Sequence, residues 1–507
     1  MLYKKSKEHF SEELFKNPTS EYRVAPFWAW NDKFEKAELL RQIEVFKKMG
    51  LGGFHMHVRC GLQTPYLGEE FMNLISACVD KAKSKKMLAY LYDEDRWASG
   101  AAGGYVTENP LFRAKHVDFT SIRDESVEKR KAFSGYVYND YVGAPQNYVG
   151  KEAGYERGEK YLLAVYDVTL DKDGYLKTYK KIAPETPANG KKWYAYVNID
   201  ETSGWFNGFG YIDALDKAAC EKFVEVTYEA YDKKVGTEFG KTIPSIFTDE
   251  PHFDKFVPLS YSKNSTAAKC AWTTDFPSTF YMRYGYDIVE KLPEVFFKLK
   301  NAPNTALYHV LDHLTDRFKD GFIKTCGKWC KAHGLNFTGH LLYEDSLKNQ
   351  TAYVGETMRS YPEFGMPGID MLCNAVELTT AKQTQSVVRQ YGKEGMTSEL
   401  YGVTGWDLDF RGHKFQGDWQ AALGVTLRVP HLSWFSMRGS AKRDYPASIS
   451  YQSAWYDEYG FVEDHFARLN VCLTRGKPSV DVGVIFPVES EWINYSAKDL
   501  SVKRQTK

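Results

Sequence analysis

The sequence predicts an α/β fold: a (β/α)8 TIM barrel with a β-rich insertion after strand three and a long loop after strand four. Three observations lead there. Short apolar runs of strand type alternate eight times with stretches of helical periodicity. The runs are apolar along their whole length, as parallel strands covered by helices require. Acids, histidines and tryptophans gather just after the runs, and the starts of the runs are bland, which is the polarity of a barrel mouth.

The elements follow in order. Residues 22–30 are aromatic and β-prone, and 33–49 carry apolar residues at helical spacing (Leu39, Leu40, Ile43, Phe46) up to Gly50. A second strand falls at 52–58, a helix at 69–86 and a third strand at 87–92. From 113 to 205 the pattern turns to alternating runs separated by Asp173-Gly174 and Asn189-Gly190, which reads as a β-rich insertion in one loop. A helix at 212–234 and a strand at 245–248 resume the rhythm, before a long connection over 252–304. Loops of that length are usually functional. Strands are then expected at 336–342, 369–372, 396–401 and 431–436, with helices up to 333 and at 381–391, 419–427 and 455–474. One more strand-like run, 479–487, suggests a barrel over 1–478 and the start of a further, truncated domain over 479–507.

Composition narrows the function. The 507 residues hold 66 Lys+Arg and 66 Asp+Glu, so no global charge favours nucleic acid or an anionic membrane. No apolar run approaches the roughly 20 residues that span a bilayer. Aromatic residues make up 15% of the chain, which excludes disorder for most of its length. The eight cysteines are scattered without a CxxC pair and read as buried free thiols. The polar first residues lack the apolar core of a secretory signal. Both features point to the cytoplasm.

The barrel rule then selects residues strand by strand. Glu250, beside Asp249, follows strand four, and Glu399 ends strand seven. Carboxylates on opposed sides of a barrel mouth can flank one scissile glycosidic bond, one as acid and one as base or nucleophile; either could instead form a structural ion pair. Apolar neighbours and a nearby like charge would raise the acid's pKa. Alternation puts His55 and His57 on one strand face, a metal-ligand pattern. The pattern sits on strand two with no acid on strand eight, so a hydrogen-bonding role for His57 competes with a zinc site. Asp93, Arg96 and Trp97 after strand three, and His340 after strand five, are candidate substrate contacts. Trp30, Tyr401, Trp406 and Trp434 are candidate stacking rings, or core. There is no phosphate loop, dinucleotide fingerprint or Gly-x-Ser-x-Gly elbow.

Several motifs together resemble glycoside hydrolase family 106, the α-L-rhamnosidases. They are Phe27-Trp-Ala-Trp-Asn31, Gly52-Gly-Phe-His-Met-His57, Thr64-Pro-Tyr-Leu-Gly68, Tyr92-Asp-Glu-Asp-Arg-Trp97, Phe247-Thr-Asp-Glu-Pro251, Tyr284-Gly-Tyr-Asp287, the run from Glu399 to Trp406, and Lys442-Arg-Asp-Tyr-Pro446 with Tyr451-Gln452. The resemblance implies an inverting hydrolase of terminal α-L-rhamnosides, with Glu250 as general acid and Glu399 as the base. It also implies a calcium ion at the sugar hydroxyls, for which Glu344 is the candidate ligand, and no organic cofactor. The expected partner is a carbohydrate substrate, not nucleic acid or membrane. A glycosidase for another neutral sugar, a non-catalytic carbohydrate-binding barrel and a metal-dependent hydrolase remain the alternatives.

Overall fold

The computed structural model describes residues 2–3, 9–128, 160–260, 263 and 265–496. Its strands, in chain order, are β1 (Phe27–Trp30), β2 (Gly53–Val58), β3 (Leu88–Tyr92), β4 (Lys115–Thr120), β5 (Tyr161–Leu170), β6 (Leu176–Ile182) and β7 (Lys191–Ile199). They continue with β8 (Ser245–Asp249), β9 (Ala267–Trp272), β10 (Asn336–His340), β11 (Met366–Met371), β12 (Met396–Leu400), β13 (Val425–Pro430) and β14 (Ser433–Trp434).

Nine of these form one all-parallel sheet in the order β13-β12-β11-β10-β8-β3-β2-β1-β14. β14 follows β13 after two residues and pairs with β1, and the Ala25 amide donates to the Arg428 carbonyl at 3.2 Å. The sheet thus curls into a nearly closed barrel with eight positions, as the sequence predicts. Strand alternation sorts the side chains. Phe27, Ala29, Tyr90, Tyr92, Phe247, Leu427 and Val429 fill the interior, with Tyr3 and Tyr22 stacked in the same cluster. Trp28, Phe54, Met56, Leu91 and Ile246 belong to the larger cluster with the surrounding helices.

The strand at 431–436 is corrected. The eighth barrel strand is β13, and its preceding helix is Phe410–Ala422 rather than 419–427. Gly424, at φ +107°, makes the turn between them. The insertion is also larger in origin than one loop. β4, β5, β6 and β7 form an antiparallel sheet with β9, which comes from the connection after β8. Two loops at the same end of the barrel therefore build one accessory sheet. Residues 129–159 of the expected insertion lie outside the described residues.

The run expected as a strand at 479–487 is not one. It belongs to neither sheet, with Val484 and Ile485 exposed, and it leads to a helix, Val488–Asn494. That helix docks through Trp492, whose indole lies 5.1 Å from Arg359 and donates to the Gly355 carbonyl. Five of the eight free cysteines are buried as expected; Cys60 is half-buried, and Cys373 and Cys472 are exposed. Among the described residues, no helix is long and apolar enough to cross a membrane.

Candidate active site

Strand register assembles the site. His340 ends β10 directly opposite Asp249, the last residue of β8, and Asp370 on β11 stands opposite Glu399 on β12. Gly339, at φ +127°, permits the first pairing: a Cβ there would sit 1.9 Å from the Thr248 carbonyl oxygen, so only glycine lets β10 approach β8 this closely. The chain turns abruptly after Asp249, and Glu250 takes φ +52°.

A pocket opens over these strand ends. It is lined by four acids (Asp249, Glu250, Asp370, Glu399), by His57, Arg59 and His431, and by Trp97, Leu372, Val403 and Tyr445. His340 Nε2 lies 3.1 Å from Asp249 Oδ1 and 3.8 Å from Glu399 Oε2. His431 Nε2 is 4.0 Å from Glu399 Oε1, and His57 Nε2 is 3.9 Å from Asp249 Oδ2. The Tyr92 hydroxyl donates to Asp249 Oδ2 at 2.5 Å.

Burial drives the electrostatics. It pushes Glu250 up to about 8, reinforced by the charges of Asp249 and Asp370 and opposed by His340. Glu399 is raised well above the carboxylate range, by burial and then by Asp370 and Asp249. Asp370 rises to about 6 for the same first reason. Burial opposes the charge on His340, but its hydrogen bond to Asp249 and the charges of Asp370 and Glu399 prevail and hold the ring protonated well above its ordinary range. Burial and then Arg59 push His57 and His431 down, so both are neutral. The result is one imidazolium set among carboxyls whose protons are shared out by position.

Asp93 is fully buried behind this layer. It accepts from the Ser99 hydroxyl at 2.6 Å and from Tyr228 at 2.9 Å. Ser99 Oγ in turn accepts from the Asp249 amide at 2.8 Å, and the Ser99 amide donates to the Asp249 carbonyl. Asp93 is therefore a positioning residue for the turn that carries Glu250. Glu94, next to it, accepts from the amides of Asp95, Gly100, Ala102 and Gly103 and shapes the loop that holds Trp97.

Of the residues expected from sequence, Glu250, Glu399, Asp249, His57 and Trp97 line the pocket, and His340 abuts it through Asp249. Others are placed elsewhere. Trp30 is on the outer strand face, edge-on to Trp28, Phe34 and Phe71. Arg96 bonds Asp95 and Asn207 in the accessory loop. The Tyr401 hydroxyl donates to the His413 carbonyl and accepts from Arg428 below the site. Trp434 is buried behind Arg59. Trp406 is exposed beside the mouth rather than among the lining residues. His55 bonds the Ala25 carbonyl and stacks on Tyr90 deeper in the barrel, away from His57's partners.

Glu344, the calcium-ligand candidate, has both carboxylate oxygens engaged within the protein. Its oxygens accept from the Tyr361 hydroxyl and the Asp370 amide. Among the described residues, the sets whose ligand atoms lie within 4.8 Å are Asp249-His340-Glu399 and Glu250-His340-Asp370, neither of which includes Glu344, His55 or His57. Each set contains an imidazole, whereas calcium takes oxygen ligands.

Sequence reasoning missed Arg59, Asp370, Leu372, Val403, His431 and Tyr445. Asp370 and His431 carried a usable signal, since each sits at the end of a barrel strand. His431 escapes notice because the sequence pattern places strand eight at 431–436, whereas the strand is Val425–Pro430 and His431 follows its end.

Comparison with known proteins adds the fold. No protein-family model matches the sequence, and no curated protein matches it at a significant level. The rhamnosidase from Novosphingobium sp. PP1Y superposes with a TM-score of 0.63 at 14% identity, over 92% of this chain. The two share a fold. The chain spans 61% of that rhamnosidase's length. A β-galactosidase from the Antarctic haloarchaeon Halorubrum lacusprofundi gives a TM-score of 0.46 at 9% identity, over 93% of this chain and 62% of its own. The catalytic domain of a β-amylase from Paenibacillus polymyxa gives 0.43 at 10%, over 86% and 98%. A shared fold does not carry a shared reaction, so the chemistry rests on the pocket itself.

Proposed function

We propose that the chain is a glycoside hydrolase that removes terminal α-L-rhamnosyl units with inversion, Glu250 acting as general acid and Glu399 as general base. One observation carries the reading: two glutamates from strand ends three positions apart around the barrel, β8 and β12, line a single pocket in which burial raises both pKa values. A glycosidic bond between them would receive a proton from Glu250 as the leaving oxygen departs. Glu399 would take a proton from water on the opposite side of the ring.

The neighbours bear on the division of labour. Among the described residues, His340 and His431 come within 4 Å of Glu399, and no ion pair reaches Glu250. Asp249 and Asp370 raise both glutamates and His340 lowers both. The 3.8 Å approach of His340 favours Glu399 as the ionised member, and Glu250 as the acid rests on the sequence resemblance. Rhamnose as the sugar rests on the sequence resemblance and on the rhamnosidase fold, and a neutral deoxy sugar suits a pocket that sets aromatic and aliphatic walls beside acids.

The test is a screen of aryl α-L-rhamnoside, galactoside, fucoside and arabinoside, with and without calcium, on wild type and on Glu250→Gln and Glu399→Gln. Rhamnoside hydrolysis lowered about 10²–10⁴-fold in each variant, at an unchanged melting temperature, is expected. The first-formed sugar should be the β-anomer by NMR. Hydrolysis retained in both variants removes the assignment, and turnover of a different glycoside alone replaces the sugar.

A further inference from the structure

We propose that the mouth of this pocket is a leaving-group subsite for an apolar aromatic aglycone, walled by Leu372, Val403 and Tyr445. The proposal rests on the glycosidase reading above and adds the chemistry of the group that leaves.

The pocket is graded with depth. Asp249 and Glu399 are 6% exposed and His57 is 1% exposed, whereas Leu372, Val403 and Tyr445 are 43%, 40% and 42% exposed. All six line the same cavity. Single exposed apolar residues need no explanation, but three on one wall of one pocket do. The departing half of a substrate whose scissile bond lies among the buried acids has to pass this wall.

The wall is also built at a cost to the backbone. Val403 has φ +60° and Tyr445 has φ +52°, and Cys373, next to Leu372, has φ +56°. A β-branched residue in the left-handed region is a real outlier, and such outliers cluster at ligand clamps. Hydrogen bonds lace the three loops together. The Cys373 amide donates to the Gly402 carbonyl at 2.7 Å, and the Gly405 amide donates to the Pro446 carbonyl at 3.0 Å. The second bond sets the segment of Trp406, 43% exposed, beside that of Tyr445. The surface is therefore formed before any ligand arrives.

Charge argues against a hydrophilic or acidic aglycone. Among the described residues, Arg59 is the lysine-or-arginine cation lining the pocket, and its guanidinium is answered by Asp444 through two bonds of 3.0 and 3.1 Å and covered by the rings of Trp97 and Tyr445. Four carboxyls deeper in the pocket disfavour an anion. Leu372 and Val403 offer no polar side-chain atom to the hydroxyls of a second sugar. A flat aromatic group matches the ring of Tyr445 and the two aliphatic walls.

Calorimetric binding of 2-naphthyl and methyl α-L-rhamnoside to the Glu250→Gln protein, in which cleavage is suppressed, tests this without requiring turnover. The naphthyl glycoside is expected to bind at least about tenfold more tightly than the methyl glycoside. Added to that background, Val403→Gly and Leu372→Asn should each remove most of that preference, by lowering naphthyl glycoside affinity far more than methyl glycoside affinity. Glycine suits φ +60°, so Val403→Gly should not lower the melting temperature, which separates loss of the wall from loss of fold. Equal affinity for the two glycosides, a preference untouched in both variants, or no binding of either overturns the subsite. A naphthyl preference that depends on Val403 and Leu372, in a protein that hydrolyses no glycoside, keeps the subsite and removes the glycosidase reading.

Discussion

His340, whose acidic neighbours hold its ring protonated well above the ordinary range, lies 3.1 Å from Asp249 and 3.8 Å from Glu399. Removing it takes away the charge that favours ionised Glu399. In His340→Asn the base should bind its proton to higher pH, so the acid limb of kcat/KM moves upward and kcat falls by about tenfold or more. Pure loss of packing would lower the rate without moving the limb, so the pH profile distinguishes the two. The basic limb belongs to Glu250. A general acid raised to about 8 is protonated below that pH, so activity is expected to fall as pH rises through about 8. Glu250, Glu399, Asp249 and His57 were legible because one rule, chemistry at strand C-terminal ends, applies to each. Trp30 and Tyr401 were not, because proximity to a strand end says nothing about which face a side chain takes. Trp30 follows Trp28 onto the helix side by alternation, and Tyr401 turns down at φ +71° to meet Arg428. Tyr445 and Val403 are loop residues whose backbone conformation no periodicity reveals.

At the scale of elements, the closing seam of the barrel depends on a buried ion pair. Arg428 on β13 meets Glu463 on the helix Gly460–Leu473 at 2.5 Å, with side chains 3% and 0% exposed. Phe466 lies under the guanidinium, its ring centroid 3.8 Å away. Such a pair gives modest net stability, but removing one member strands the other in a dry site. Glu463→Ala should therefore destabilise the protein by about 3–5 kcal/mol, read as a drop in denaturant midpoint. The isosteric Glu463→Gln, which keeps an acceptor for Arg428, should cost less. The same seam explains the strand placed too late in the sequence. The run 425–430 contains Arg428, which interrupts an otherwise apolar strand, while 431–436 looks aromatic and β-prone. The charge is tolerated only because a helix some thirty residues later supplies its partner. β9 was hidden for a related reason. Its partner strand, β4, is some 150 residues earlier in the chain, and no local pattern encodes that antiparallel pairing.

Across the whole molecule, equal numbers of acids and bases conceal an uneven distribution. Many bases pair at the surface, while a set of acids is buried around the barrel mouth. The aromatic excess divides similarly. Most rings are core, such as Trp28, Trp193, Trp272 and Trp492, whereas Trp97 and Tyr445 line the pocket and Trp406 is exposed. The buried acids make stability depend on pH in a way the neutral composition does not suggest. Burial raises Asp93 to about 7 and Glu94, Glu250 and Glu344 to about 8, against ordinary values near 4. A group raised in the folded state binds more protons there than when unfolded, so its stabilisation is full at low pH and is lost as pH rises through the folded value. The buried histidines oppose this. His55, His57, His252, His313, His413 and His431 are all pushed down by burial, so they reduce stability as pH falls below about 6.5, where the unfolded chain takes up their protons. Below pH ~6.5 the two sets work against each other; above it these six histidines are neutral in both states, and the raised carboxyls still titrate together with His340, whose raised value acts in the same direction. The melting temperature is therefore expected to fall between about pH 6.5 and 8.5, where an ordinary neutral protein would be nearly flat. Differential scanning calorimetry across that range reads it. Glu344→Gln, which keeps an acceptor for Tyr361 and carries no charge to desolvate, should flatten the slope, and a melting temperature that rises over the same interval contradicts the buried-acid account.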